Sequence, residues 1–238
     1  MNEKLEAMMH RSGRIVFFGG AGISTESGIP DFRSQGGLYH QQYAYPPETI
    51  LSHSFFVENP EEFFKFYRAK MLVTDAKPNA AHLRLANLEK QGKLTAVITQ
   101  NIDGLHQAAG SKNVLELHGS TLRNHCMKCG KFYGVEWIKN SIGVPHCTCG
   151  GIVKPDVVLY EESLDAGVMQ AAVDALRTSD LLIVGGTSLA VYPAAGLLRY
   201  YGGTDIVVIN KTATSADAAA TLVLHEPIGQ VLGDTESL

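Results

Sequence analysis

No apolar run in the chain is long enough to span a bilayer, which takes about 20 consecutive residues, so a membrane-embedded protein is not expected. The first residues, Met1-Asn2-Glu3-Lys4-Leu5-Glu6, carry acids and lack the apolar core of a signal peptide, and a cytoplasmic protein is expected. Basic residues are not in excess: the net charge is −4, which argues against a nucleic-acid footprint. No Walker-A lysine motif is present, and no G-x-S-x-G elbow or Ser-His-Asp signature, so these NTPase and hydrolase classes are set aside. Internal repeats and low-complexity segments are absent. Cysteine is scarce, with four in the whole chain, all between 126 and 149. That clustering in a reducing compartment favours a metal over disulfides.

What remains is the composition of a globular protein of 238 residues, 45% hydrophobic and 18% charged. That length suits one large domain, or one domain with a small insert. Short apolar runs alternate with helical patterns. Strands are expected at 14–18, 94–99, 114–117, 157–160, 180–185, 205–209 and 220–224. Helices are expected at 2–12, from Asn59-Pro60 onward, at 78–91, at 165–178 and at 193–201. This alternation implies an α/β fold, a parallel sheet with helices on both faces.

Ligands of such sheets bind beyond the carboxyl ends of the strands. Five polar clusters fall at those ends: Gly19–Arg33, Gln100–Asp103, His118-Gly119, Gly186–Ser188 and Asn210. The first is a glycine loop after a strand, where backbone N–H groups can approach a diphosphate, with a helix expected near Ser24. It lacks the third glycine of a dinucleotide fingerprint, whose place is taken by Thr25, and continues as Pro30-Asp31-Phe32-Arg33. His118 is followed by a glycine at a strand end, and a histidine, whose ordinary pKa is near neutral, suits a general base. Asp31, Asp103 and Asn101 have two readings: orienting ribose hydroxyls or an amide, or capping loops. The spacing Cys126-x2-Cys129 and Cys147-x-Cys149 makes a four-thiolate zinc site, which leaves no open position and is therefore structural. The second pair is one residue tighter than usual. His125 and His146 flank the cysteines and are read as exposed polar residues.

Together, Gly20-Ala21-Gly22-Ile23-Ser24, Gly28-Ile29-Pro30-Asp31-Phe32-Arg33, Thr99-Gln100-Asn101-Ile102-Asp103-Gly104-Leu105, His118-Gly119, the paired cysteines, Gly186-Thr187-Ser188-Leu189 and Val208-Ile209-Asn210 closely resemble the sirtuin family, specifically its bacterial NAD-dependent protein-lysine deacetylases, over nearly the whole chain. The resemblance implies a Rossmann-like NAD-binding domain (1–34, 77–119 and 156–238), a cofactor loop and helical insert (35–76) and a zinc-ribbon-type module (120–155), the last two forming a small domain. It implies that Gly20, Ala21, Gly22 and Thr25 line the diphosphate and ribose. Asp31, Phe32 and Arg33 would border the nicotinamide, with Ile102 and Asp103 holding its carboxamide. Gln100 and Asn101 would contact the nicotinamide ribose, Asn101 with a catalytic part. Gly186, Thr187, Ser188, Asn210 and Lys211 would bind the phosphate and adenosine end. His118 would be the base in a reaction that releases nicotinamide and O-acetyl-ADP-ribose. Acetyl-lysine peptide would add as a strand between Val157, Val158, Leu159 and Tyr160 on one side and Leu189 and Val191 on the other.

Two departures from that pattern stand out. Tyr160-Glu161-Glu162 replaces the family's Phe-Gly-Glu, and Tyr67-Arg68-Ala69-Lys70 puts lysine where relatives that remove succinyl groups have arginine. The loop containing Gly28, Gly36 and Gly37 is expected to move on cofactor binding. Three other classes remain open at this level: an NAD-dependent oxidoreductase, a mono-ADP-ribosyltransferase and a non-catalytic zinc-module binder. A monomer is favoured.

Overall fold

A computed structural model describes residues 2–32, 37, 43 and 45–233. The main sheet has six parallel strands: β1 (Ile15–Gly19), β2 (Leu94–Thr99), β3 (Val114–Glu116), β7 (Leu181–Gly185), β8 (Asp205–Ile209) and β9 (Leu222–Leu224), in the order β3-β2-β1-β7-β8-β9. Strand order reverses between β1 and β7, the crevice where open α/β sheets bind ligands. The central strands are apolar throughout because both faces are covered. Along β1, Phe17 enters a core with Leu5, Met8, Leu85 and Ile183, while Val16 and Phe18 enter the opposite one with Ala172, Leu176 and Val184. Helices α1 (Glu3–Arg11), α5 (Ala80–Lys90) and α9 (Ile228–Leu232) cover the first face, and α8 (Ala166–Thr178) with the 3-10 turns 194–200 covers the second.

A second, antiparallel sheet, β5-β4-β6, is formed by β4 (Gly119–Cys126), β5 (Phe132–Gly134) and β6 (Val153–Val157). It packs with the short helices α2 (Pro47–Ile50), α3 (His53–Glu58) and α4 (Pro60–Phe66), a π-helical turn at Tyr67–Met71, and α7 (Val135–Lys139). Phe55, Phe56, Phe63, Phe64 and Tyr67 share one core with Cys126, Tyr133, Ile138, Cys147 and Val153, so the insert and the cysteine module form a single packed unit. Arg68 fastens them further, donating to the carbonyls of Ile138 and Gly143 and to Ser141 Oγ. Tyr67 is 1% exposed and stacks on Phe63 at 5.7 Å, and burial raises its phenol pKa.

Three expectations are corrected. The segment after Gly20 is not an α-helix: it makes two 3-10 turns, Ala21–Ile23 and Thr25–Ser27, closed by Ser24 N–H to Ala21 O and Gly28 N–H to Thr25 O. The strand expected at 157–160 instead runs Val153–Val157. It includes Pro155, which an edge strand tolerates because its N–H side needs no partner. Residues 193–201 are 3-10 rather than α-helical over Ala194–Tyr200, after a cis Tyr192–Pro193 bond. Arg33, Gly36 and most of the loop up to residue 44 lie outside the described residues.

α6 (Leu105–Ala108) places His106 against His82 of α5, ring centroids 4.8 Å apart, both almost fully buried. Burial pushes His82 down to about 4. Burial, reinforced by His82, pushes His106 down to about 3. Both folded pKa values lie below the unfolded value near 6.5, so on acidification the unfolded chain takes up protons first. The contribution of these two rings to stability is therefore fully present above pH ~6.5 and is lost from there through about 4 and 3. The melting temperature is expected to fall over this window, and to fall less steeply in His106→Leu, which removes two ring nitrogens lacking partners among the described residues. Parallel curves for the two proteins would contradict this origin of acid sensitivity.

Candidate active site and metal centre

The register of the parallel sheet sets up the site. Gly19 pairs with both Thr99 and Gly185, and Gly185 with Ile209, so Gly20, Gln100, Gly186 and Asn210 each step off a strand at the same level. They line a cleft of about 610 Å³, within the usual range for ligand pockets. The cleft also receives Ala21, Gly22, Thr25, Asp31, Phe32, Asn101, Ile102, Asp103, His118, Thr187, Ser188 and Lys211, together with Val157, Val158, Leu159, Tyr160 and Val191. Leu189 does not line it: it is 6% exposed and packs into the core with Phe18 and Val184. Two loops meet here closely. A Cβ on Gly22 would lie 2.7 Å from Gly186 Cα, so a side chain at 22 would force the loops apart.

The polar groups are tied to one another. Asn101 Nδ2 donates to Ser24 Oγ (3.0 Å), which donates to Asp103 Oδ2 (2.7 Å), while Asp103 Oδ1 accepts Leu105 N–H (2.9 Å). Gln100 Nε2 donates to Thr187 Oγ1 at 3.0 Å, joining the ends of β2 and β7. Ser24, 1% exposed, is a link that the sequence motif contained without revealing its role. Lys70 and Glu161, singled out in the sequence, do line the cleft, whereas Met71 of the π-helical turn, Val73 just past it, and Glu226 and Ile228 are lining residues that sequence reasoning missed. Their signal is absent from any local pattern, because they arrive from separate elements.

His118 sits at 3.0 Å from the Gln100 carbonyl through Nδ1. A carbonyl only accepts, so Nδ1 carries the proton and Nε2 keeps its lone pair. Burial lowers the His118 pKa, partly offset by that hydrogen bond, so the imidazole is neutral at physiological pH. Gly119 next to it has φ +73, and a Cβ there would lie 1.8 Å from Asp156 O; only glycine lets β6 approach behind the histidine. Val158 N–H donates to His118 O at 3.0 Å, joining the base to the cleft wall.

That wall is stitched to the helical insert. Tyr160 N–H donates to Leu51 O and His53 N–H to Tyr160 O, both at 3.0 Å. Glu161 has φ +74, a left-handed conformation that costs a non-glycine residue on the order of 1 kcal/mol. Its Oε2 accepts from Ser54 N–H (2.9 Å) and Ser54 Oγ (2.5 Å), bonds of a size to offset that cost.

The four cysteine sulfurs lie within 4.8 Å of one another, with Cys126–Cys149 at 3.4 Å and Cys129–Cys147 at 3.6 Å. Disulfide sulfurs would be about 2.05 Å apart. Tetrahedral Zn–S bonds of about 2.3 Å place sulfurs about 3.8 Å apart, so the donor set fits zinc. The tight second pair is accommodated by a turn in which Gly150 N–H reaches Cys147 O at 2.8 Å. The backbone N–H of Cys149 is the main cause that draws the Cys147 thiol down to about 5, toward the thiolate that a metal needs.

The model of the family described as "Sir2 family" matches residues 20–193, well over half the chain. An NAD-dependent protein deacetylase of Clostridium perfringens (strain 13 / Type A) is 60% identical over 234 residues, covering 97% of this chain and 96% of the relative. One from Clostridium acetobutylicum is 60% identical over 233 residues, with 96% and 95% covered. Among solved structures, a Sir2–p53 peptide–NAD+ complex is 40% identical with a TM-score of 0.86, covering 98% of this chain and 96% of that one. A Sir2 bound to acetylated peptide is 37% identical with a TM-score of 0.85 and the same coverage. The fold, the converging loops and these likenesses agree: the chain belongs to the Sir2 family.

Proposed function

We propose that the chain is an NAD-dependent protein-lysine deacetylase with His118 as general base. The observation that carries this reading is the neutral imidazole, oriented by the Gln100 carbonyl, on a cleft that runs from the glycine loop to an apolar wall. NAD, when bound, supplies the acetyl acceptor: nicotinamide leaves and ADP-ribose carries the acetyl group away. Gly20, Ala21, Gly22 and Thr25 would hold the diphosphate, with Gly186, Thr187, Ser188, Asn210 and Lys211 toward the adenosine end. Asn101 and Asp103, fixed through Ser24, would orient the nicotinamide ribose and carboxamide, beside Asp31, Phe32, Ile102 and Gln100. His118 Nε2 would take a proton from a ribose hydroxyl. Val157, Val158, Leu159 and Tyr160 would pair with acetyl-lysine peptide, opposite Val191 and the backbone at Leu189. Cys126, Cys129, Cys147 and Cys149 would hold one zinc, whose filled coordination braces β4 to β6.

In this reading residues 1–34, 77–119 and 156–238 form the NAD-binding domain, and 35–76 with 120–155 the small one, supported by the shared aromatic core. Cysteines that are clustered but not bridged suit a reducing setting, the cytoplasm.

Mass spectrometry of acetyl-lysine peptide mixed with NAD tests the reaction. Deacetylated peptide, free nicotinamide and O-acetyl-ADP-ribose are expected, and no product would overturn the reading. A matched succinyl-lysine peptide is expected to react more slowly. Tyr67 lies in the core and Arg68 is committed to backbone carbonyls, which leaves Lys70 on the cleft, without the bidentate fork that a carboxylate prefers. Equal or faster desuccinylation would remove this basis for acyl selectivity.

A further inference from the structure

Glu161 and Glu162 lie side by side on the wall of the cleft but differ in how their charges are used. Glu162 is spent internally. Its Oε2 accepts from Leu159 N–H (2.8 Å) and Lys154 Nζ (3.1 Å), and its Oε1 meets His53 Nδ1 at 2.9 Å. Its charge faces a lysine, and its hydrogen bonds hold the segment in place. Among the described residues Glu161 is hydrogen-bonded by neutral groups, Ser54 N–H and Oγ, both on Oε2, and His53, already bonded to Glu162, is the one basic group that acts on its charge. No lysine or arginine pairs with it among the described residues, and its side chain is exposed at the cleft. The Ser54 bonds also hold its carboxyl below the usual glutamate range, so it is fully ionised at neutral pH. A glycine would adopt φ +74 without strain. The residue present instead places a rigidly held carboxylate, with no lysine or arginine partner among the described residues, one position past Tyr160.

We propose that Glu161 is a specificity-determining residue: its carboxylate takes the side chain of a lysine or arginine that flanks acetyl-lysine in the substrate. The inference rests on the reading of Val157–Tyr160 as the peptide wall and goes beyond it by naming the substrate class, acetylated sites in basic surroundings. An extended peptide on that wall presents side chains near residue 161. A carboxylate already held by Ser54 loses little rotamer freedom when a cation arrives. It attracts a basic flanking residue and repels an acidic one, each by about threefold, as partly exposed ion pairs do.

The test uses acetyl-lysine peptides that differ at one position within two residues of the acetyl-lysine, carrying arginine or glutamate there. The wild type is expected to favour arginine over glutamate by about tenfold in kcat/KM at its most sensitive position, with the preference fading at high salt. Glu161→Gln is expected to bring the ratio near one, and Glu161→Lys to reverse it. The ratio is taken within one enzyme, so a general loss of activity cancels, and melting curves of the variants expose any unfolding. A preference that survives unchanged in Glu161→Gln, or a wild type that does not discriminate, overturns the proposal. Failure to deacetylate any peptide is a different result, which removes the deacetylase reading itself and this inference with it.

Discussion

Replacing His118 with alanine is expected to lower deacetylation by about 10²–10⁴-fold, the usual worth of a positioned general base. NAD affinity should change little, because among the described residues the imidazole's hydrogen bond is internal, to the Gln100 carbonyl. Losing that bond leaves one carbonyl short of a partner, a cost of about 1 kcal/mol. The fold should therefore survive, and single-turnover rates beside NAD titration separate lost chemistry from lost binding. The pH profile adds a second check. Burial lowers the His118 pKa below its ordinary value, and the base works in its neutral form. The wild-type rate should thus hold steady on the alkaline side of pH ~6.5 and fall only below it. A variant that keeps a tenth or more of the rate would mean that another group removes the proton.

The second large effect concerns the metal. Changing Cys147 to serine is expected to release zinc and lower the melting temperature by about 10 °C or more, as loss of several kcal/mol does in a chain of this size. The reason lies in how the cysteines are packed. Cys126 and Cys147 belong to the same core as Phe63, Phe64 and Tyr67, and Val157 and Leu159 of the cleft wall join that core. Loosening the sulfur cluster should therefore reach the peptide site, raising the peptide KM more than the NAD KM. Metal analysis, calorimetry and kinetics on one preparation read all three consequences. A zinc-free variant with an unchanged melting temperature and full activity would show that the four sulfurs brace nothing.

Much of the nucleotide end of the cleft was legible in sequence. The glycine run after Phe18, the polar run after Thr99, His118-Gly119 and Gly186-Thr187 each follow an apolar strand, and a parallel sheet with level strand ends must bring such residues together. The cysteine spacing was equally direct, and the four sulfurs do cluster despite the tight second pair. The turns after Gly20 were misjudged because a glycine loop before a polar stretch reads as a helix start, whereas hydrogen bonds of the i+3 type close it. Val157–Tyr160 do line the cleft, but the strand expected there runs earlier, over Val153–Val157, because Pro155 argues against a strand in isolation. Only the sheet order shows that its strand is an edge.

The sequence by itself therefore determined the class of sheet, the catalytic histidine as a candidate, and the thiolate set, because each depends on short-range patterns: apolar runs, glycine after a strand, cysteine spacing. Tertiary structure decided the rest. Ser24 bridges Asn101 and Asp103 across about 80 residues of chain, the aromatic insert shares a core with the cysteine module, and Glu161 is held by Ser54 in a left-handed conformation. These are contacts between segments far apart in the chain, and no local propensity encodes them. They exist only once the sheet and the small unit have fixed the distances between loops.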